Sequence, residues 1–262
     1  MCSLQSQGLK RELEDFLIKL GAFKVRIADP QKGIEKAVKG CHPLDLMKDC
    51  RSVIVFVFNI GLDYYLSMDY QHNNIRLGHL YRDWTGLQLV SFLRMKGYDA
   101  KEVPRGFRDK DNRIAFMSFK HAAYEAGIGV YGRPGIIITP EYGPRVNLSV
   151  VLTDAQLEPD QQMTGFNPCT NCTVCVEICP IRAIKEDLPP PLGFKRDRCV
   201  RFVDWIREET KDKDMLCGYC FDRCPAGKLV KKTIKLRRWK TLKNTEANLR
   251  KQLISAYLRG RK

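Results

Sequence analysis

The chain has 262 residues, eleven of them cysteine, and its 45 Lys or Arg outnumber 30 Asp or Glu for a formal net charge of +15. That length has room for one large domain or two smaller ones. Its longest apolar runs, such as Val53 to Phe58 and Ile136 to Ile138, are far too short to cross a bilayer. The chain opens with neither an apolar signal region nor a twin-arginine motif, so a cytoplasmic location is expected.

Leu9, Leu13, Phe16, Leu17 and Leu20 recur at helical spacing, and Gly21 is placed to end that first amphipathic helix. Phe23 to Ala28 reads as a short strand. Ser52 to Ile60 is a nearly continuous β-branched and aromatic run, as expected for a strand buried on both faces. A long helix is predicted from about Asn73 to Lys96, closed by Gly97, with a further strand over Tyr98 to Val103. Ser118 to Ala126 is helical and stops at Gly127. Gly135 to Thr139 and Val146 to Leu152 read as two more strands. Strands alternating with helices predict an α/β (α+β) sheet domain with helices packed on it.

The stretch from Ala126 to Asp154 is punctuated by Gly127, Gly129, Gly132, Gly135 and Gly143. Glycine lets backbone approach a flat or bulky ligand closely, and Arg133 and Arg145 suit a ligand's carboxylate or phosphate periphery. The same pattern also fits a plain set of tight turns joining strands, since glycine-rich loops are weakly specific. His121 opens the preceding helix, where it either meets a ligand or serves as a surface or capping residue.

Composition changes between Asp160 and Asn167, from strand formers to polar residues and then to cysteine turns. The first run is Cys169, Cys172, Cys175 and Cys179, followed by Pro180. The second is Cys217, Cys220 and Cys224, followed by Pro225, and Cys199 stands between them. A four-iron cluster needs four thiolates, and the bacterial ferredoxin spacing takes three from a tight turn and sends the fourth to the other cluster. The rule predicts two [4Fe-4S] clusters. Cys169, Cys172, Cys175 and Cys224 hold one, and Cys179, Cys199, Cys217 and Cys220 hold the other. Structural zinc prefers separated pairs, often with histidine, and no histidine follows His121. Disulfides belong to secreted chains, which nothing here suggests. Cys2, Cys41 and Cys50 fall outside the pattern and read as free thiols.

The last segment carries most of the charge. From Lys228 to Lys262, thirteen Lys or Arg face one acid, Glu246, so the high pI reports a basic tail and not a basic fold. Leu249, Leu253 and Tyr257 lie at four-residue intervals on one helical face. Such a tail suits tRNA or another polyanion, with Trp239 free to stack on a base, or an anionic membrane surface. A solvated helix packed on the body by those apolar residues is the plain alternative.

The segment from His121 through the glycine stretch to Asp154, the first cysteine run, and RDRCVRF with CGYCFDRCP together resemble the epoxyqueuosine reductase and reductive dehalogenase superfamily. LGAFKVRIAD and CRSVIVFVFNI fit the same family, so the resemblance covers roughly Leu9 to Gly227. It implies a nitroreductase-like domain over residues 1–163 that holds base-off cobalamin where relatives of that fold hold flavin. It also implies a two-cluster ferredoxin-like domain over 164–228, followed by the basic tail 229–262. Gly127, Gly129, Gly132, Arg133 and Gly135 match the part of the family motif that lies against the corrinoid. An outside electron donor of ferredoxin or flavodoxin type is expected, feeding the corrinoid through the clusters.

The match departs at the proton donor. Where epoxyqueuosine reductases carry an aspartate as general acid this chain has Arg113, with Asp111 two residues earlier and Asp109 four. Dehalogenases use a tyrosine with a basic partner, a role open to Tyr64 or Tyr65 with Arg113 or Lys120. Asp111, Arg113 and Tyr64 are thus the candidate catalytic residues. The resemblance implies an iron–sulfur, cobalamin-dependent reductase, with epoxide removal on a tRNA base as the leading chemistry. An electron-transfer protein serving a corrinoid partner and a flavin-dependent iron–sulfur reductase are the alternatives.

Overall fold

A computed structural model describes residues 2–32, 38–59, 68–109, 113–211, 217–229, 255–257 and 259, with backbone alone for 2–5 and 68–78. It divides the chain into two units. The first takes residues 1–60, 77–130 and 146–166, and the second takes 61–76, 131–145 and 167–262.

In the first unit the apolar spacing noted above becomes α1 (Cys2–Lys19), and the chain turns at Gly21 into β1 (Lys24–Ala28). A single helical turn, α2 (Pro43–Leu46), is capped by His42, whose side chain accepts the Leu44 N–H, and it precedes β2 (Ser52–Asn59). The long helix α3 (Met68–Met95) leads to β3 (Ala100–Glu102), then to a small hairpin of β4 (Phe107–Asp109) and β5 (Ile114–Ala115). Ser118 caps α4 (Phe119–Glu125), accepting the His121 N–H at 3.2 Å. Short strands β6 (Val130–Tyr131), where the chain enters the second unit, and β7 (Ile137–Ile138), inside it, precede β8 (Val146–Thr153) of the first.

The main sheet has the order β1-β2-β8-β3, and all three pairings are antiparallel. Strand–helix alternation in sequence suggests parallel crossovers, but here β8 returns from far along the chain to lie beside β2, Ser52 opposite Thr153 and Asn59 opposite Val146. The class is therefore mixed α and β on an antiparallel sheet.

Seven of the eight residues of β2 are buried, as its apolar run predicts. Ile54, Phe56 and Phe58 face a core shared with Leu13 and Leu17 of α1, Leu89 and Leu93 of α3, and Val151 of β8. Each such side chain removed from water contributes roughly 1.5–3 kcal/mol. Alternate residues Val53, Val55 and Val57 point to the other face and are also buried. The open edge of β1 is closed by the strap after β8. Ile27 and Asp160 exchange two hydrogen bonds, Ile27 N–H to the carboxylate at 2.7 Å and Asp160 N–H to the Ile27 carbonyl at 2.8 Å. Arg26 and Lys10 reach the same carboxylate at 2.8 and 3.1 Å.

Candidate functional site

The seven cysteines of the two runs and Cys199 between them all lie in the second unit. Cys175 rides on α5 (Val174–Glu177), Cys199 on α6 (Arg196–Thr210) and Cys220 on α7 (Tyr219–Asp222). Cys179 follows α5, and Cys217 and Cys224 flank α7, so each short helix carries one thiol and presents others at its ends. All eight are free thiols.

The thiols lie close enough to act on one another's charge. Burial pushes the Cys175 thiol up to about 11, and Cys169, Cys172 and Cys224 act on it in the same direction. Burial raises Cys220 further, with Cys217, Cys199, Cys175 and Cys179 adding to it. Cys199 is raised by burial and then by Cys179. Burial also raises Cys224 against the opposing pull of the Ala226 N–H and the Arg145 cation. Cys169, Cys172 and Cys224 are thus neighbours of Cys175, while Cys220 has neighbours from both predicted sets, Cys217, Cys199 and Cys179 from its own and Cys175 from the other.

Among the described residues no three His, Cys, Asp or Glu side chains are disposed to hold a metal ion directly. A four-iron cube binds each thiolate to a different iron and so spaces its ligands more widely than one ion does. The predicted donors, four thiols for each cluster, have the chemistry that such a cube takes. Backbone amides also turn toward sulfur. Arg182 adopts a left-handed conformation (φ 52°), and the next N–H, that of Ala183, meets the Cys179 sulfur at 3.2 Å.

The glycine-rich segment proves to be the frame of these turns. Residues 131–145 belong to the second unit. Arg133, only 9% exposed, donates to the carbonyls of Cys172 (3.2 Å), Cys169 (3.1 Å), Glu186 (3.0 Å) and Leu188 (3.4 Å). Arg145, 2% exposed, donates to Asp222 and Cys224 at 2.9 Å each and to Ala226 at 3.4 Å. Asp222 ends α7, where a helix leaves its carbonyls unsatisfied, and the fork of a guanidinium fills that need. Backbone bonds from Lys228 to Pro140 (2.9 Å) and from Leu229 to Glu141 (3.0 Å) hold the same arm against the second run.

The glycines have protein groups where side chains would go. At Gly135 (φ 67°) a Cβ would stand 2.8 Å from the Phe194 ring, and at Gly127 (φ 69°) it would collide with the Gln161 carbonyl. Gly132 faces Ile138, while Gly129 lies in the turn between α4 and β6. The close contacts of Gly127, Gly132 and Gly135 are thus accounted for by packing, and a corrinoid-facing role for the four glycines, for Arg133 and for Arg145 rests on the resemblance alone.

His121 sits in the first turn of α4, its ring 3.6 Å from Glu125, at a half-exposed surface position. Arg113 is half-buried with a left-handed backbone (φ 54°). Asp109 ends β4, and Lys120 is exposed on α4. Asp111, Tyr64 and Tyr65 lie outside the described residues, as do Trp239, Leu249 and Leu253. Among the described residues no helix is long and apolar enough to cross a membrane.

Sequence reasoning missed an aromatic wall. Phe202, Ile206, Ile181, Ala183 and Tyr257 form a buried cluster, and Cys179, Cys199 and Cys217 pack against it. Tyr257 meets Phe202 edge-on at 4.8 Å and Trp205 at 5.1 Å. The i, i+3, i+4 spacing of Phe202, Trp205 and Ile206 was the available signal.

No protein-family profile matches the chain. The chain is 32% identical over 147 residues to tetrachloroethene reductive dehalogenase of Sulfurospirillum multivorans, a match covering 52% of this chain and 27% of that protein. It is likewise 32% identical over 122 residues to epoxyqueuosine reductase of Bacillus anthracis, covering 43% of this chain and 30% of the relative. The chain therefore spans under a third of the length of these curated relatives. A crystal structure of epoxyqueuosine reductase with an epoxyqueuosine-modified tRNA-Tyr stem loop superposes with a TM-score of 0.59 at 20% identity, over 84% of this chain and 65% of that one.

Proposed function

We propose that this chain, which belongs to the superfamily of epoxyqueuosine reductases and reductive dehalogenases, is an oxidoreductase that carries electrons through two [4Fe-4S] clusters toward a bound organic cofactor. The reading is supported by the spacing of eight cysteines up to 55 positions apart, with the buried Arg133 and Arg145 donating to the carbonyls of Cys169, Cys172 and Cys224. Cys169, Cys172, Cys175 and Cys224 would hold one cluster and Cys179, Cys199, Cys217 and Cys220 the other. The two arginines keep the cysteine turns in place, the Ala183 and Ala226 amides donate toward sulfur, and the aromatic wall covers one side of Cys179, Cys199 and Cys217. These are the contributions of protein to a cluster site: ligands, hydrogen bonds to sulfur and control of solvent.

The resemblance implies cobalamin as the group that meets the substrate, and when bound it supplies low-valent cobalt chemistry that side chains lack. Arg113, Asp111 and Tyr64 are the candidate groups for holding or delivering a proton there. An epoxide on a tRNA base is the leading substrate, consistent with the basic stretch from Lys228 to Lys262. A halogenated organic compound is the second reading, favoured by the wider sequence match to the tetrachloroethene enzyme.

Anaerobic reconstitution tests the proposal. Two clusters require about eight iron and eight sulfide per chain. Absorption spectra with added cobalamin or flavin then separate the cofactors, and turnover of an epoxyqueuosine-modified stem loop against a chloroalkene separates the substrates. Zinc without sulfide refutes the electron-carrying reading. A full complement of clusters that binds neither cobalamin nor flavin leaves an electron-transfer protein.

A further inference from the structure

A guanidinium stays positively charged wherever the fold buries it, and the carbonyls that accept its N–H donors are neutral groups. Arg133 ends its donors on four carbonyls, two of them belonging to Cys169 and Cys172, while Arg145 holds the carbonyl of Cys224. Three of the four cysteines in the first set are therefore gripped through their backbones by buried cations. Arg133 and Arg145 are the only charged residues of the second unit that are buried among the described residues. The other set has a different surrounding: the apolar wall of Ile181, Ala183, Phe202, Ile206 and Tyr257.

Resting on the iron–sulfur reading above, we propose that Arg133 and Arg145 are counter-cations to the cluster held by Cys169, Cys172, Cys175 and Cys224, and set its reduction potential above that of its neighbour. Adding one electron to a thiolate-bound cluster adds one negative charge. Fixed positive charge nearby stabilises that reduced form, while an apolar wall on the other side disfavours it. An electron entering the pair then comes to rest beside the two arginines.

The test is a one-electron titration of the reconstituted full chain, with dithionite as reductant and electron paramagnetic resonance as the readout. Cys199→Ser and Cys224→Ser, each removing one ligand set, assign the signals. The cluster of the first set should reduce first. Arg133→Gln should make its reduction about tenfold less favourable, a shift of about 59 mV for a one-electron couple, and leave the other signal unmoved. Arg133→Lys, which keeps the charge and loses hydrogen bonds, should stay close to the parent potential even where it lowers thermal stability. Equal shifts in the Gln and Lys variants, or two clusters of equal potential in the parent, overturn the inference. If Arg133→Gln takes up no iron, Arg145→Gln against Arg145→Lys decides on the same criterion. A parent chain that retains no sulfide refutes the iron–sulfur reading itself, whereas sulfide with equal potentials sinks only the role of the arginines.

Discussion

Tyr257 makes the sharpest demand on this picture. It is 8% exposed, and its ring lies 4.8 Å from that of Phe202 and 5.1 Å from that of Trp205, in the cluster against which Cys179, Cys199 and Cys217 pack. Truncating a buried aromatic to alanine costs about 3–5 kcal/mol, of which each ring–ring contact supplies about 0.5–1.5 kcal/mol. Tyr257→Ala at the low end of that range, about 3 kcal/mol, raises the population of locally opened molecules by about a hundredfold. Water and oxygen then reach the second thiol set more often. The assay follows iron and sulfide release from reconstituted protein after exposure to air, with the ligand variants telling the clusters apart. Tyr257→Ala should lose the second cluster much faster than the parent and keep the first. Tyr257→Phe, which retains the ring contacts, should fall near the parent. Equal release from the parent and the alanine variant, or loss from the first cluster instead, would refute the idea that this residue seals the site.

Cys224→Ser and Cys199→Ser should each lower iron content from about eight to about four per chain, because each removes a ligand from a different four-thiol set. Loss of all iron from either variant would mean that the sets do not assemble independently. Asp160→Ala should lower stability by about 2–3 kcal/mol, since it strips a charge-assisted acceptor from the Ile27 N–H, Arg26 and Lys10 and uncovers the β1 edge. Thermal unfolding should register this as a drop of about 4–12 °C, and an unchanged midpoint would show that the strap contributes nothing. Cys50, 5% exposed, has its thiol pushed up to about 11 by burial. A raised thiol pKa means its contribution to stability is complete below the unfolded value near 8.5 and declines as pH rises toward 11. Iodoacetamide at pH 9 should therefore label Cys50 in the denatured chain and spare it in the native one, as peptide mapping can check.

Much of the first unit was legible because its signals are local. Apolar spacing places α1, the β-branched run places β2, and Ser118 and Gly127 bracket α4 at the ends that capping chemistry dictates. The short pieces escaped notice: α2, α5 and α7 span four residues each, too few to display a helical period, and β4 and β5 are shorter still. Antiparallel pairing also escaped, because the partner of β2 lies some ninety residues away at β8.

The proposed cysteine partition is read from the sequence alone, since a tight turn with two-residue gaps can present only certain sulfurs to one cube. Which groups surround those sulfurs is a different kind of fact. Arg133 finds its carbonyls 36 to 55 positions away and Arg145 finds its own 77 to 81 away. No periodicity encodes such distances, because a guanidinium is satisfied by any carbonyl the fold delivers to it. Covalent spacing singles out the eight cysteines, and only the folded chain decides which charges and aromatic rings stand beside them.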